Sequence, residues 1–317
     1  MIIVTGGAGF IGSNLVAKIN EMGVSDILIV DDLADGAKIL NISDLDIADY
    51  LDKDDLFAYL SKTDSSMIDV IFHLGACSAT TEWDGKFLMK NNFEYSKKLF
   101  HWAQDNNVAF IYASSASVYG LGEDGFTESQ ICEKPINAYA YSKLLFDRYV
   151  FSQSRNLSSQ VVGLRYFNVY GPRENHKGTM VSPAFSFFQQ IKELGVAKIF
   201  EGSHGYASGE HKRDFIYVSD CADVNWWFYK NSTKSGIFNV GTGSAVSFNK
   251  VAENIIKNEG HGKITYIPFP NHIKAHYQAF TQANISALRS IGYTEKFLDI
   301  DQGVERYYKW LTSHRES

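Results

Sequence analysis

The chain has 317 residues, 45% of them hydrophobic and 21% charged, with a formal net charge of −6. That length buries a sizeable core and leaves room for a second, smaller lobe. The mild acidity excludes any general attraction to nucleic acid or an anionic membrane, and no run of about 20 apolar residues is present to span a bilayer.

The first element is Ile2-Ile3-Val4, a short β-branched run that suits a buried parallel strand. Glycines follow at once, then apolar residues at helical spacing from Ile11 to Met22. A second buried strand, Ile27–Val30, ends at Asp31-Asp32, and a third, Val70–Phe72, leads into Gly75-Ala76. Residues 86–106 read as one long amphipathic helix. Phe110–Tyr112 is a strand ending in Ser114-Ser115, Tyr139–Ser154 a helix, and Val161–Leu164 a strand running out into Arg165–Asn168. This alternation predicts right-handed crossovers and a Rossmann-type, doubly wound parallel α/β sheet. Phe215–Val218 and Ile237–Val240 read as further strands among loops rich in Gly, His and aromatic residues. The expected organisation is discontinuous: residues 1–168 with 214–243 as the dinucleotide-binding domain, and 169–213 with 244–317 as a smaller C-terminal substrate-binding region.

The segment Gly6-Gly7-Ala8-Gly9-Phe10-Ile11-Gly12 follows a strand and opens a helix. Glycines there permit a tight turn, let the backbone approach a pyrophosphate and bring the helix close to the sheet, while the helix N-terminus offers N–H groups and partial positive charge. Gly6, Gly9 and Gly12 are therefore candidate cofactor-binding residues. Asp31 stands about 20 residues on, where a carboxylate bonds the adenosine ribose. A carboxylate disfavours a 2′-phosphate, but Lys38 and Lys53 could offset it, so these residues leave NAD and NADP both open.

Tyr139-Ala-Tyr-Ser-Lys143 places a phenol and an ammonium one helical turn apart on one face. A phenol has a pKa near 10, and a neighbouring cation would lower it enough to act as a base. Ser115 precedes Tyr139 by 24 residues, at a strand end, where a hydroxyl can hold the reacting oxygen. Glycine turn, serine and YxxxK together predict hydride chemistry with Tyr139 as acid/base.

In this order TGGAGFIGS, SSASVYG, YAYSK, RYFNVYGPR, RDFIYV and FNVGTG resemble the extended short-chain dehydrogenase/reductases, from end to end of the chain. Dehydratases of that group usually carry an Asp-Glu pair directly after the Ser/Thr. Ala116 and Ser117 stand there instead, so elimination is disfavoured and epimerisation favoured. HLGACSATTEWDGK, EKPINAYAYSK, YGPRENHKGTM, IFEGS and YQAFTQA are similar, more sharply, to the ADP-glyceromanno-heptose 6-epimerases.

That resemblance implies tightly held NADP and inversion of C6″ of an ADP-linked heptose through a transient 6-ketone. The product would feed lipopolysaccharide inner-core synthesis. It implies Lys177 as a second acid/base working from the opposite face. A lysine that binds substrate phosphate is the other reading. Cofactor contacts would come from Phe10, Ile11, Asp31, Asp32, Lys38, Lys53, Leu74, Gly75, Ala76, Cys77, Ser78, Asn91, Lys143 and Val169. Substrate contacts would come from Asn168, Thr179, Ser186, Phe200, Glu201, Gly202, Ser203, Arg213 and Tyr277. The chain departs from the family at Leu74, where an acidic residue is expected, at Ser186, where His is expected, and over His204–His211, which looks longer than usual.

Cys77, Cys132 and Cys221 form no CxxC pair, and no leader peptide is visible before the first strand, so a cytoplasmic protein with reduced thiols is expected. The scattered histidines form no His–Cys cluster, so no metal site is expected, and without a GxSxG elbow a hydrolase has no support. Homo-oligomers are the default for such enzymes. The rival readings are a UDP- or GDP-sugar 4-epimerase and a non-catalytic NAD(P)-binding sensor.

Overall fold

The structure is a computed structural model, and it describes residues 1–274 and 276–314. Six strands of the first half are β1 (Ile2–Thr5), β2 (Ile27–Asp31), β3 (Asp49–Asp52), β4 (Val70–His73), β5 (Ala109–Ser115) and β6 (Val161–Tyr166). With β10 (Gly236–Val240) they form a seven-stranded sheet in the order β10-β6-β5-β4-β1-β2-β3. Every pairing in it is parallel. β1, β2, β4 and β6 are buried along their whole length, which is why they read as continuous apolar runs. The order reverses between β1 and β4, and this places a crevice at the carboxyl ends of those strands.

Neighbouring residues of each strand serve opposite faces. Ile2 and Val4 join a core with Leu15, Val16 and Ile19 of α1 (Phe10–Glu21) and Val224 and Phe228 of a later helix. Ile3, Leu28 and Ile71 point the other way, into a core with Leu56 of α2 (Leu56–Leu60) and Leu99 and Phe146 of helices further on. The predicted single helix over 86–106 is a continuous helical run in three parts: α3 (Gly85–Leu88), a π-helical stretch Met89–Glu94, and α4 (Tyr95–Asp105). The wider turn lies where the buried Asn92 side chain reaches out of the helix to the Cys77 backbone. The next helix, α5 (Ala138–Gln153), is capped by the Asn137 side chain, which accepts from the Ala140 N–H.

β7 (Asn168–Tyr170), β9 (Lys212–Tyr217) and β11 (Ala245–Ser247) make a three-stranded sheet, and β8 (Val196–Phe200) pairs with β12 (Lys263–Ile267). α6 (Pro183–Leu194), α7 (Val218–Lys230), α8 (Phe248–Glu259), α9 (Asn271–Lys274), α10 (Ser286–Ser290) and α11 (Ile300–Ser313) complete the chain. α6, α8 and α11 enclose their own core around Phe188, Ile255 and Tyr307. Two elements cross the division drawn from the sequence. β9 pairs with β7 and β11 rather than with the large sheet. Leu288 of α10 packs in the large-sheet core. Backbone partners and apolar contacts set these placements, and neither is visible as a local pattern.

Candidate active site

One cleft of about 510 Å³ lies over the carboxyl ends of β1, β4, β5 and β6. Its floor at one end is the glycine turn. Gly6 has φ +68°, and a Cβ there would stand 2.6 Å from the Gly75 nitrogen. A Cβ on Gly12 would stand 2.0 Å from the Gly6 carbonyl oxygen. Both glycines are therefore required for turn, helix and β4 exit loop to touch. The helix behind the turn is capped by Gly9, has no side-chain cap and carries no acidic residue in its first turn. These are the features of a cradle for a dinucleotide diphosphate.

Asp31 is buried at the end of β2. One carboxylate oxygen accepts from the Ala8 N–H at 2.8 Å, and the other from Lys38 Nζ at 2.9 Å. Next to it Asp32 pairs with Lys53, which holds the Asp32 carboxyl below its usual range. Two carboxylates and two ammoniums thus cluster at the carboxyl end of β2.

At the other end stand Ser115, Tyr139 and Lys143. Ser115 interacts with the Tyr139 hydroxyl in the sense that favours the phenolate. Ser115 Oγ also accepts from the Ser117 N–H at 3.2 Å and lies 2.9 Å from Ser117 Oγ. Lys143 Nζ donates to the Ala113 carbonyl at 2.9 Å. The electrostatics differ from the sequence expectation of a phenol lowered by Lys143. Burial pushes Tyr139 up, and only Ser115 opposes it noticeably. Burial also lowers Lys143, to about 8, against the pull of Asp147 one turn on. Both partners are removed from water, and desolvation disfavours each charged form.

Lys177 lines the same cleft from the segment Asn175–Met180. Its ammonium lies 5.0 Å from the centroid of the Phe10 ring, and burial lowers its pKa while Glu174 raises it. The segment is anchored to the glycine turn and to residues 41–44. Arg173 grips Asp44 with two bonds of 2.7 and 2.8 Å, and Asn41 Nδ2 lies 3.0 Å from both the Ala8 carbonyl and His176 Nδ1.

Of the candidate residues, Gly6, Gly9, Phe10, Ile11, Gly12, Asp31, Lys38, Leu74, Gly75, Ala76, Ser78, Ser115, Tyr139, Lys143, Asn168, Val169 and Lys177 line this cleft. Asp32, Lys53, Cys77, Asn91, Thr179 and Ser186 are not part of its wall. Cys77 presents its backbone to Asn92. The Asn91 side chain donates to the Phe87 carbonyl, and Ser186 Oγ accepts from Gln190. Thr179 is exposed. Thr80, Ser117, His176 and Gln278 line the cleft without having been singled out. His176 adjoins Lys177, Ser117 follows Ser115 by two, and Thr80 and Gln278 lie within the HLGACSATTEWDGK and YQAFTQA segments that carry the family resemblance.

Phe200, Glu201, Gly202, Ser203, Arg213 and Tyr277 gather in a second place, joined to the cleft at Asn168. That side chain donates to the Asp214 carbonyl at 3.1 Å and to Thr281 Oγ1 at 3.0 Å. Arg213 is 8% exposed. Its guanidinium carbon lies 5.1 Å from the Tyr277 ring centroid and 5.8 Å from that of Phe248. Among the described residues no carboxylate pairs with it, and burial lowers its pKa. A buried, unpaired guanidinium suits a bidentate anionic ligand.

His272 and His276 stand at HxxxH spacing. The His272 side chain lies outside the described residues, and among the described residues no group of three or more His, Cys, Asp or Glu is placed to hold a metal.

Residues 2–241 match the model of the NAD dependent epimerase/dehydratase family. The chain belongs to that family. It is 55% identical over 309 residues to the ADP-L-glycero-D-manno-heptose-6-epimerase of Alkalilimnicola ehrlichii, covering 97% of this chain and 96% of that one. The crystal structure of the Helicobacter pylori ADP-L-glycero-D-manno-heptose-6-epimerase superimposes with a TM-score of 0.84 at 30% identity, over 98% of this chain and 96% of that one. A UDP-N-acetylglucosamine 4-epimerase from Methanobrevibacter ruminantium M1 follows at TM-score 0.83 and 26% identity, over 99% and 98%. Family membership and the glycine cradle together make a nicotinamide dinucleotide the cofactor.

Proposed function

We infer that this protein inverts C6″ of an ADP-linked glycero-manno-heptose through a transient 6-ketone. The observation that carries the inference is end-to-end identity of 55% with the A. ehrlichii epimerase in a chain whose cleft holds both Tyr139 and Lys177. A dinucleotide held on the glycine turn would supply the hydride acceptor and then the hydride donor.

Tyr139 takes the proton of the C6″ hydroxyl, and Ser115 holds that oxygen in place. Oxidation leaves a flat ketone, which must present its other face before hydride returns. Each face needs its own proton donor, and Lys177, on the wall of the same cleft, serves the second. Its burial brings neutral amine and ammonium closer in energy, as a proton shuttle requires. Arg213 binds the diphosphate and Tyr277 covers it. Gly9, Phe10, Ile11 and Gly12 hold the cofactor diphosphate. Lys38, which lines the cleft beside Asp31, favours NADP over NAD by offsetting that carboxylate. The product serves lipopolysaccharide inner-core synthesis in a Gram-negative cytoplasm, and the enzyme works as a homo-oligomer of two-lobed subunits.

The test is incubation with ADP-glyceromanno-heptose, following the C6″ configuration by NMR. Inversion at C6″ is the expected result. Inversion at C4 of a UDP- or GDP-hexose, with no change in ADP-heptose, overturns the assignment.

A further inference from the structure

The segment His204–His211 has no part in the chemistry above, yet its Tyr206 and His211 lie within electrostatic reach of Arg213. Ser203, His204 and His211 make a hydrogen-bond chain with one consistent polarity. The Lys274 carbonyl can only accept, so the His204 Nε2 that lies 2.9 Å from it carries the proton. His204 Nδ1 then accepts from Ser203 Oγ at 2.8 Å. Ser203 Oγ in turn accepts from His211 Nε2, also at 2.8 Å. His211 is 1% exposed. His204 itself has φ +53°, a conformation rarely adopted by residues other than glycine and held only where surroundings demand it.

After β12 a strap passes Phe269 and α9, which ends at Lys274, with Tyr277 and Gln278 three and four residues further along the sequence. Its aromatic residues pack on the same histidines. The Tyr277 ring lies 5.0 Å from Phe269, 5.2 Å from His211 and 6.0 Å from His204. Tyr277 faces the unpaired Arg213, and the next residue, Gln278, lines the catalytic cleft.

We propose that His204 is a positioning residue for the nucleoside diphosphate end of the substrate: it ties the strap down so that Tyr277 closes over Arg213. This rests on the reading of Arg213 as the diphosphate ligand. His204 touches no reacting atom, so its loss acts on binding and not on hydride or proton transfer.

The experiment uses the holoenzyme, with ADP as the calorimetric probe and hydrogen exchange of residues 269–277 as a second readout. One lost hydrogen bond corresponds to about two- to tenfold in affinity. His204→Ala and His204→Phe are each expected to weaken ADP by that factor, to speed exchange in the strap and to raise KM while kcat at saturation stays within about twofold. His204→Gln, which keeps an N–H donor for the Lys274 carbonyl, is expected to recover most of the affinity. ADP binding unchanged in His204→Ala and His204→Phe, while Arg213→Gln weakens ADP at least tenfold, overturns the tether and leaves the diphosphate reading standing. ADP binding unchanged in Arg213→Gln overturns that reading, and the tether with it.

Discussion

Acid sensitivity of this fold should be traceable in part to one residue, His73, at the carboxyl end of β4. Its ring is wholly enclosed. Nδ1 lies 2.6 Å from Thr5 Oγ1 and Nε2 lies 2.8 Å from Ser96 Oγ. Ser96 Oγ spends its own proton on the Asn92 carbonyl at 2.7 Å, so it accepts from His73 Nε2–H. Nδ1 is then the acceptor for Thr5, and the site holds a neutral imidazole. Burial, helped by the nearby Lys143 ammonium, lowers the pKa from 6.5 to about 3. The unfolded chain therefore binds a proton below pH 6.5 that the native state refuses, and stability falls as pH falls through 6.5. At pH 5 the difference spans about 1.5 units, roughly 2 kcal/mol, and it vanishes above pH 7.5. For a chain of this length that is a melting shift of roughly 4 °C. The assay compares Tm at pH 7.5 and pH 5 in the wild type and in His73→Gln. The variant melts lower at pH 7.5, but its further drop on acidification should be smaller by roughly that amount. Other titrating groups are common to both proteins and cancel. An equal drop in the two refutes the argument.

Tyr139→Phe should cut turnover by about 10²-fold or more with the dinucleotide still bound, measured by NMR of the sugar and by release of the cofactor on denaturation. Lys177→Met should likewise lower kcat by orders of magnitude; a loss confined to KM assigns Lys177 to phosphate binding instead. Lys38→Ala removes the ammonium bonded to Asp31 and should shift the co-purifying dinucleotide from NADP toward NAD, as read by chromatography of the released cofactor. Asp220 is buried beside Asp223 and pushed up to about 6. Its contribution is present below pH 3.8 and lost as pH rises through 6, so Asp220→Asn should raise Tm at pH 7.5, by about 1–3 kcal/mol in stability, and an unchanged or lower Tm contradicts this.

The glycine turn and the YxxxK pair are local, and locality makes them legible. A strand, a tight turn and a helix N-terminus within a dozen residues have few other uses, and residues four apart on a helix share a face whatever surrounds them. The parallel sheet follows from alternating apolar runs and helices for the same reason. The short strands β3, β8, β11 and β12 escape this reading, because each is partly exposed and is defined by its partner's register rather than by its own pattern.

Tertiary packing determines which groups lose water together. Lys177 over the Phe10 ring, Arg213 between Tyr277 and Phe248, and His204 bonded to the Lys274 carbonyl are contacts between segments far apart in the chain. The Tyr139 phenol shows the point most directly. Spacing alone puts a cation near it and suggests a lowered pKa, whereas the folded environment raises it. Solvation is set by everything packed around a group, and a sequence motif specifies only its nearest neighbours on one helix.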